Sequence, residues 1–555
     1  MKSNSKKIEE PIEWPQNLNT YLGNKGFTIL KSELSIRHQL LLKESLMIKP
    51  YVPGSPVQVQ TTFPAYRESD KKIYVPRYYG EELFGPAKTN KITEGTNINL
   101  TFNGTLRDYQ VPIADTYLKH VEKGGGGLLE LYCGAGKTSL GLYIASRLKK
   151  KTIVIVHKEF LMNQWIERIQ DFLPAARIGK IQGQIIDIDD KDIVFAMLQS
   201  LSMKDYPSTL FDSFGLTIID EVHHISSEVF SCALFKLVTK YTLGLSATMD
   251  RKDGTTKVFK MFLGEVVYKL ERPKDEEVIV RGITYQTNDD EYNELELDFR
   301  GKTASAKMLS KICNYNRRSE FIIKVLKDMI AENPRQQIMI IASYKIILKY
   351  MYDAITHHNI CSVGYYVGGM KESALKESEK KQVVLATYSL ASEGLDIKSL
   401  TTLFMITPMT NIEQSVGRIL REKHDFSPIV VDIIDTHDNF QRQWSKRKSF
   451  YKSQNYKIIQ TYSSTYDPDA SKWKVTYVPK GIEENKKIKE KINVIDEVGA
   501  RIGTYKKTSS RSSTERSIAD DSEEEEEYEG QDEPREDEPK KNKIGGGICF
   551  LKMKK

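Results

Sequence analysis

No stretch of about eighteen consecutive apolar residues occurs in the chain, so the sequence holds no candidate for a helix that spans a bilayer. The segment Met1 to Pro11 mixes both charges and lacks an apolar centre, which argues against a secretory signal and for a protein that is not secreted. The five cysteines, Cys133, Cys232, Cys313, Cys361 and Cys549, are widely separated, and none belongs to the Cys-x-x-Cys pairs of zinc ribbons or thiol redox motifs. Free thiols and no structural zinc are expected. What remains is a chain of 555 residues, 39% hydrophobic and 28% charged, in the range of globular proteins. That length exceeds what one hydrophobic core serves and implies two or three domains with appendages.

Charge is unevenly spread. Thirteen acidic residues fall between Asp520 and Glu538 against the single Arg535, so the other 536 residues carry +19 while the whole chain carries +7. An excess of lysine and arginine suits a polyanionic partner, because neutralising phosphates releases condensed counterions.

Short apolar runs without alternation, which is how strands buried on both faces of a parallel sheet read, occur at Thr152–Val156, Ile193–Ala196 and Leu216–Ile219. A second set, Ile338–Ala342, Val383–Ala386, Leu403–Ile406 and Ile429–Ile433, follows a break near Pro273 to Gly301. The pattern predicts an α/β chain of two tandem units, 101–272 and 301–460, joined by a connection at 273–300. Residues 1–100, with β-rich stretches such as Lys72–Tyr79, read as a small accessory domain that either recruits a partner or simply packs. Beyond them lie an extension at 461–505 and a tail at 506–555, serine-rich, then acidic, then lysine-rich, which reads as disorder. The apolar and basic end, Ile544 to Lys555, is either a docking peptide or a frayed terminus.

The chemistry-bearing residues begin at Gly134-Ala135-Gly136-Lys137-Thr138, between the apolar Leu128–Tyr132 and the helical pattern Ser139–Leu148. Glycines in such a loop let backbone N–H groups turn toward phosphates, and the helix N-terminus adds a favourable dipole. Lys137 supplies a point charge, and the Thr138 hydroxyl is a candidate Mg²⁺ ligand, so the loop calls for a nucleoside triphosphate. Leu131 stands where the broader form of this motif has its first glycine. Asp220 closes an apolar run, where its carboxylate can reach the metal through water, and the adjacent Glu221 is the candidate for polarising the attacking water. Ser246-Ala247-Thr248 ends another apolar run, and Gln414, Gly417, Arg418 and Arg421 share one helical stretch.

In order and spacing these motifs resemble the superfamily 2 helicases and translocases of the DExH type, from Leu106 to Tyr456. The resemblance implies two RecA-like domains with ATP and Mg²⁺ in the cleft between them. It implies that Arg107 and Gln110 of Leu106–Gln110 recognise adenine, a structural Gln110 being the lesser alternative. It further implies that His223 and Ser246-Ala247-Thr248 couple hydrolysis to domain movement, and that Gly394 and Asp396 contact ribose or the finger. Arg421 would be the arginine finger that reaches the γ-phosphate on closure, supported by Arg418 and Gln414. Nucleic acid, DNA or RNA, would be held by His157-Lys158, which replaces the usual Pro-Thr, by Gln199-Ser200 and by Thr387-Tyr388, at strand ends on the face opposite ATP.

Cys133-Gly134-x-Gly136-Lys137-Thr138, Gln164-Trp165 and Gly417-Arg418-x-x-Arg421-Glu422 look most like helicases of large cytoplasmic DNA viruses, including the poxvirus transcript-release helicase, with XPB-type proteins next. This implies viral transcription, late or at termination, in the host cytoplasm or the virion, with transcription machinery meeting the N-terminal domain or the tail. The alternatives are a repair or recombination helicase, a duplex translocase in cytoplasm or nucleus, or a scaffold whose ATP site has decayed. Intact Lys137, Asp220, Glu221 and Arg421 argue against decay.

Overall fold

The unalternating apolar runs become the inner strands of two eight-stranded sheets. The structure, a computed structural model, describes residues 13–50, 62–207, 209–222, 227–249, 254–273, 277–393, 397–420 and 425–479. The expected tail at 506–555 and most of the extension at 461–505 lie outside the described residues.

The first sheet runs in the order Ile185–Asp187, Ile178–Gln182, Ile193–Met197, Thr152–Val156, Leu216–Asp220, Tyr241–Ser246, Gly126–Leu131, Val266–Leu270. Only the first of these is antiparallel to its neighbour. The second sheet runs Val363–Tyr366, Val383–Thr387, Gln337–Ala342, Leu400–Met405, Ile429–Asp435, Ile279–Tyr285, Lys457–Tyr462, Lys474–Tyr477, again parallel except for its last strand. Helices cover the sheets, so strands such as Thr152–Val156 and Leu400–Met405 are buried along their whole length. These are two tandem RecA-like lobes. In each, the parallel strands bring all their carboxyl ends to one edge, where an open α/β sheet binds ligands.

The N-terminal region forms a five-stranded sheet in the order Arg67–Glu68, Lys72–Val75, Gly26–Leu30, Tyr21–Gly23, Thr89–Asn90. Its buried residues, Phe27 and Ile73 among them, continue into the hydrophobic core of the first lobe around Phe230, Phe259 and Phe262. The β reading of Lys72–Tyr79 is corrected at Pro76. Pro76 has no N–H to give a ladder, the strand stops at Val75, and Arg77–Phe84 is a helix. That helix sits directly on the sheet, because a Cβ on Gly80 would lie 2.3 Å from the Phe27 ring.

The connection expected at 273–300 is corrected too. Ile279–Tyr285 is an inner strand of the second sheet, between Ile429–Asp435 and Lys457–Tyr462. Arg281 and Gly282 interrupt its apolar run, and the buried Arg281 is neutralised by Glu332 of the helix Asn316–Glu332, with N–O distances of 2.5 and 2.6 Å. Residues past 460 also belong to this sheet, since Lys474–Tyr477 pairs with Lys457–Tyr462.

Candidate active site

Asp220, the last residue of its strand, lies one strand from Tyr241–Ser246 and two from Gly126–Leu131, so three of the sequence motifs share a corner of the first sheet. The loop after Gly126–Leu131 turns through Gly134 (φ 90°) and Gly136 (φ 75°) into the helix Lys137–Leu148. Only glycine suits position 136. Its φ is left-handed, and a Cβ there would lie 2.6 Å from Gln110 Nε2. No side chain caps this helix, so N–H groups of its first turn are available to an anion. Ala135 is buried, and Thr138 lies in that first turn.

Lys137 Nζ is 2.9 Å from Glu221 Oε1, both side chains being largely buried. Glu221 itself has φ 49°, a left-handed conformation uncommon for such a residue and of the kind stored at functional sites. Beside it, Asp220 accepts from Trp165 Nε1 at 2.7 Å and from the Glu221 backbone N–H at 3.0 Å. Burial, and then the neighbouring Glu221, push the Asp220 carboxyl up to about 6, against the opposing pull of Lys137 and Trp165. Burial works to lower the Lys137 ammonium, but Glu221, Cys133 and Asp220 outweigh it and raise it. Two buried acids thus share one cation, an environment that favours further positive charge. A divalent ion fits here: the donors are oxygens, and Mg²⁺ keeps waters and phosphate oxygens instead of needing a full protein cage.

Gln110 is buried and committed to the loop, with Nε2 donating to the carbonyls of Ala135 (2.9 Å) and Gly136 (3.2 Å) while Oε1 accepts from the Arg107 N–H at 3.0 Å. The structural alternative for Gln110 is therefore the one realised here, and reading a base would require it to change partners. Arg107 donates to Tyr109 Oη at 2.7 Å and to the Gly134 carbonyl at 3.3 Å. Ser246 is buried at the end of its strand with its hydroxyl donating to the Thr248 carbonyl, so Ser246-Ala247-Thr248 is braced within itself.

The second lobe faces this corner through Gly417–Leu420, since a Cβ on Gly417 would stand 3.1 Å from that of Cys133. Gln414 lies on the preceding turn, Glu413–Val416. Arg418 is buried, its Nε donating to the Ala391 carbonyl at 3.0 Å. His223, Gly394, Asp396 and Arg421 lie outside the described residues.

The residues expected to hold nucleic acid need two corrections. His157, Lys158, Gln199 and Ser200 follow Thr152–Val156 and Ile193–Met197, which are parallel to the strands that carry the nucleotide motifs. They share one sheet edge with the phosphate loop instead of an opposite face, displaced sideways by three strand spacings, about 14 Å, for His157-Lys158 and by four, about 19 Å, for Gln199-Ser200. Gln199 Nε2 donates to the His157 carbonyl at 3.2 Å, and Ser200 Oγ accepts from the Gly183 N–H at 3.0 Å. Thr387 ends its strand and remains partly exposed, but Tyr388 is a core residue whose hydroxyl donates to the Thr407 carbonyl at 2.7 Å. Burial also pushes its phenol up, so Tyr388 packs instead of contacting a ligand.

Two contributors escaped motif reasoning. Trp165 enters the sequence motifs only through the pair Gln164-Trp165, yet it anchors Asp220. Arg272, just past the last strand of the first lobe, donates to the Cys133 carbonyl at 2.7 Å and to the Leu420 carbonyl at 3.0 Å. No local pattern marks either role.

A phosphate loop and a buried acidic pair on one RecA-like lobe, closed by a second such lobe, define a two-lobe nucleotide-driven motor. Residues 103–251 match the family of type III restriction enzyme res subunits. The chain is 35% identical over 462 residues, 81% of its own length and 88% of the relative's, to an Acanthamoeba polyphaga mimivirus protein named "putative ATP-dependent RNA helicase". It is 27% identical over 392 residues, 66% and 76% of the two lengths, to an African swine fever virus protein of the same name, and 26% identical over 388 residues, 65% and 85%, to an invertebrate iridescent virus 6 protein named "putative helicase". The chain belongs to the superfamily 2 ATP-dependent helicases, in the group found in large DNA viruses. It is an ATP-driven enzyme of the helicase class. No helix among the described residues is long and apolar enough to cross a membrane.

Proposed function

We propose that this helicase uses the Lys137, Asp220 and Glu221 cluster to hydrolyse ATP while it moves along a nucleic acid during viral transcription, at late stages or at transcript release. The observation that carries the reading is the buried pair Asp220 and Glu221 sharing Lys137 beside an uncapped helix N-terminus. Lys137 exchanges its Glu221 contact for the phosphates, and the first-turn N–H groups of 137–140 bind phosphate oxygens. Thr138 and Asp220 would hold Mg²⁺, which would supply charge neutralisation on the phosphates. Glu221, released from Lys137, orients the attacking water and accepts its proton. Trp165 keeps Asp220 aimed, and Arg418 and Arg421 approach from the second lobe. His157, Lys158, Gln199, Ser200 and Thr387 contact sugar and phosphate without reading bases. The relatives' names support RNA as the track.

Steady-state ATP hydrolysis, measured alone and with single-stranded RNA, single-stranded DNA or duplex DNA, tests this. Stimulation by single-stranded RNA is expected, with Glu221→Gln binding ATP but turning over about 10³-fold more slowly. Undiminished hydrolysis by Glu221→Gln refutes the site, and undiminished transcript release by Lys137→Ala refutes the proposed role in transcription.

A further inference from the structure

Arg272 is the one side chain seen to bond backbone on both sides of the cleft at the phosphate loop among the described residues. It leaves the first sheet two residues after the strand Val266–Leu270. Its guanidinium carbon lies 4.9 Å from the centre of the Tyr132 ring. One terminal nitrogen donates to the carbonyl of Cys133, the residue before Gly134. The other donates to the carbonyl of Leu420, 148 residues away and one residue before Arg421. A planar fork on an aromatic face is held in one orientation, and a lysine could not reproduce both bonds.

The fit around it is tight. A Cβ on Gly417 would stand 3.1 Å from the Cβ of Cys133, closer than ordinary van der Waals contact. Glu413, one turn before, is pushed up chiefly by burial and then by Glu130 across the cleft, with Lys269 and Arg272 opposing. Two further polar contacts between the lobes among the described residues are of a different kind. Asn163 donates to Glu372 at 2.8 Å and Lys376 pairs with Glu167, all on exposed side chains of the helices Glu159–Phe172 and Glu372–Ser378. Such surface contacts contribute little.

We propose that Arg272 is a positioning residue for hydrolysis: by tying the flank of the phosphate loop to the turn Gly417–Leu420, it sets where the following arginine meets the nucleotide when the lobes close. This rests on the nucleotide-site reading above. A residue that touches no part of the nucleotide but places the group that does raises the rate of the chemical step without tightening ATP.

The test is ATP hydrolysis by the full chain at saturating polynucleotide. Arg272→Ala is expected to lower kcat by about 10- to 100-fold while the KM for ATP stays within about threefold. Arg272→Lys recovers part of the loss, and Lys376→Ala, which breaks the exposed contact, stays within about twofold of the parent. A kcat for Arg272→Ala within twofold of the parent overturns the proposal, as does a raised KM with kcat unchanged, which would mean that Arg272 only holds the loop. Should Arg272→Ala not fold, Arg272→Lys is judged by the same kcat criterion. Lys137→Ala separates the two ideas. If it hydrolyses ATP normally, the site itself is misread; if it is inactive while the Arg272 variants match the parent, only the role of Arg272 fails.

Discussion

Both lobes bury charge, but the nucleotide corner balances it differently from the rest of the molecule: Asp192 of the first lobe, like the buried aspartates of the second, has an arginine, Arg177, at 2.9 and 3.0 Å. In the second lobe each buried aspartate has its own arginine. Arg318 Nε and a terminal nitrogen meet Asp435 at 2.6 and 2.8 Å, and Arg447 meets Asp432 at 2.7 and 2.8 Å, all four side chains being almost wholly inaccessible. Tyr292 and Tyr451 donate further bonds to those carboxylates at 2.7 and 3.0 Å. In the first lobe Asp220 has no guanidinium; it has an indole N–H, a backbone N–H and a share in Lys137. Paired buried charges are structural fasteners, whereas the under-compensated one is held ready for a ligand that brings positive charge.

This contrast can be broken by substitution. The largest effect is expected in the second lobe. Arg318→Met leaves Asp435 buried without its cation, and should cost about 3–5 kcal/mol in urea denaturation. A loss under about 1 kcal/mol would mean that Asp435 is not the dependent partner. In the first lobe the sign reverses. Because the folded carboxyl of Asp220 sits near 6, above its ordinary value of 3.8, folding takes up a proton between those limits. Ionised Asp220 therefore destabilises the fold above about pH 6, and the penalty disappears below about pH 4. Without metal or nucleotide, Asp220→Asn should be more stable than the parent by about 2–3 kcal/mol at pH 7.5, with the gap closing toward pH 4. A variant equally stable at both pH values would remove the contrast between Asp220 and the arginine-paired aspartates. The smallest expected effect is that of Trp165→Phe, which deletes one bond to a charged acceptor and should cost about 1.5 kcal/mol at pH 7.5. In a double-mutant cycle with Asp220→Asn that cost should shrink, and strict additivity would show that Trp165 acts through packing alone.

Much of this architecture is legible in the residue order. The runs Thr152–Val156, Leu216–Ile219 and Ile338–Ala342 match strands to within a residue, because a strand buried on both faces has no polar face to interrupt it. The phosphate loop is legible for a similar reason, since its glycines answer a local backbone requirement. Ile279–Tyr285 was hidden because Arg281 breaks its apolar run and is tolerated only through Glu332, 51 residues on. Tyr388 was misread because a tyrosine at a strand end looks the same whether its hydroxyl faces a ligand or the Thr407 carbonyl.

The division follows distance along the chain. Strand runs, the glycine loop and the acidic pair express preferences that act within a few residues, so amino-acid order alone was enough to establish two α/β units and a nucleotide corner. Trp165 on Asp220, across 55 residues, and Arg272 on both Cys133 and Leu420, across 139 and 148, exist only because folded sheets and helices carry those groups within bonding reach. Hydrogen bonds act over about 3 Å and leave no periodic mark in sequence, so only packing could decide which arginine is a surface charge and which one joins the lobes.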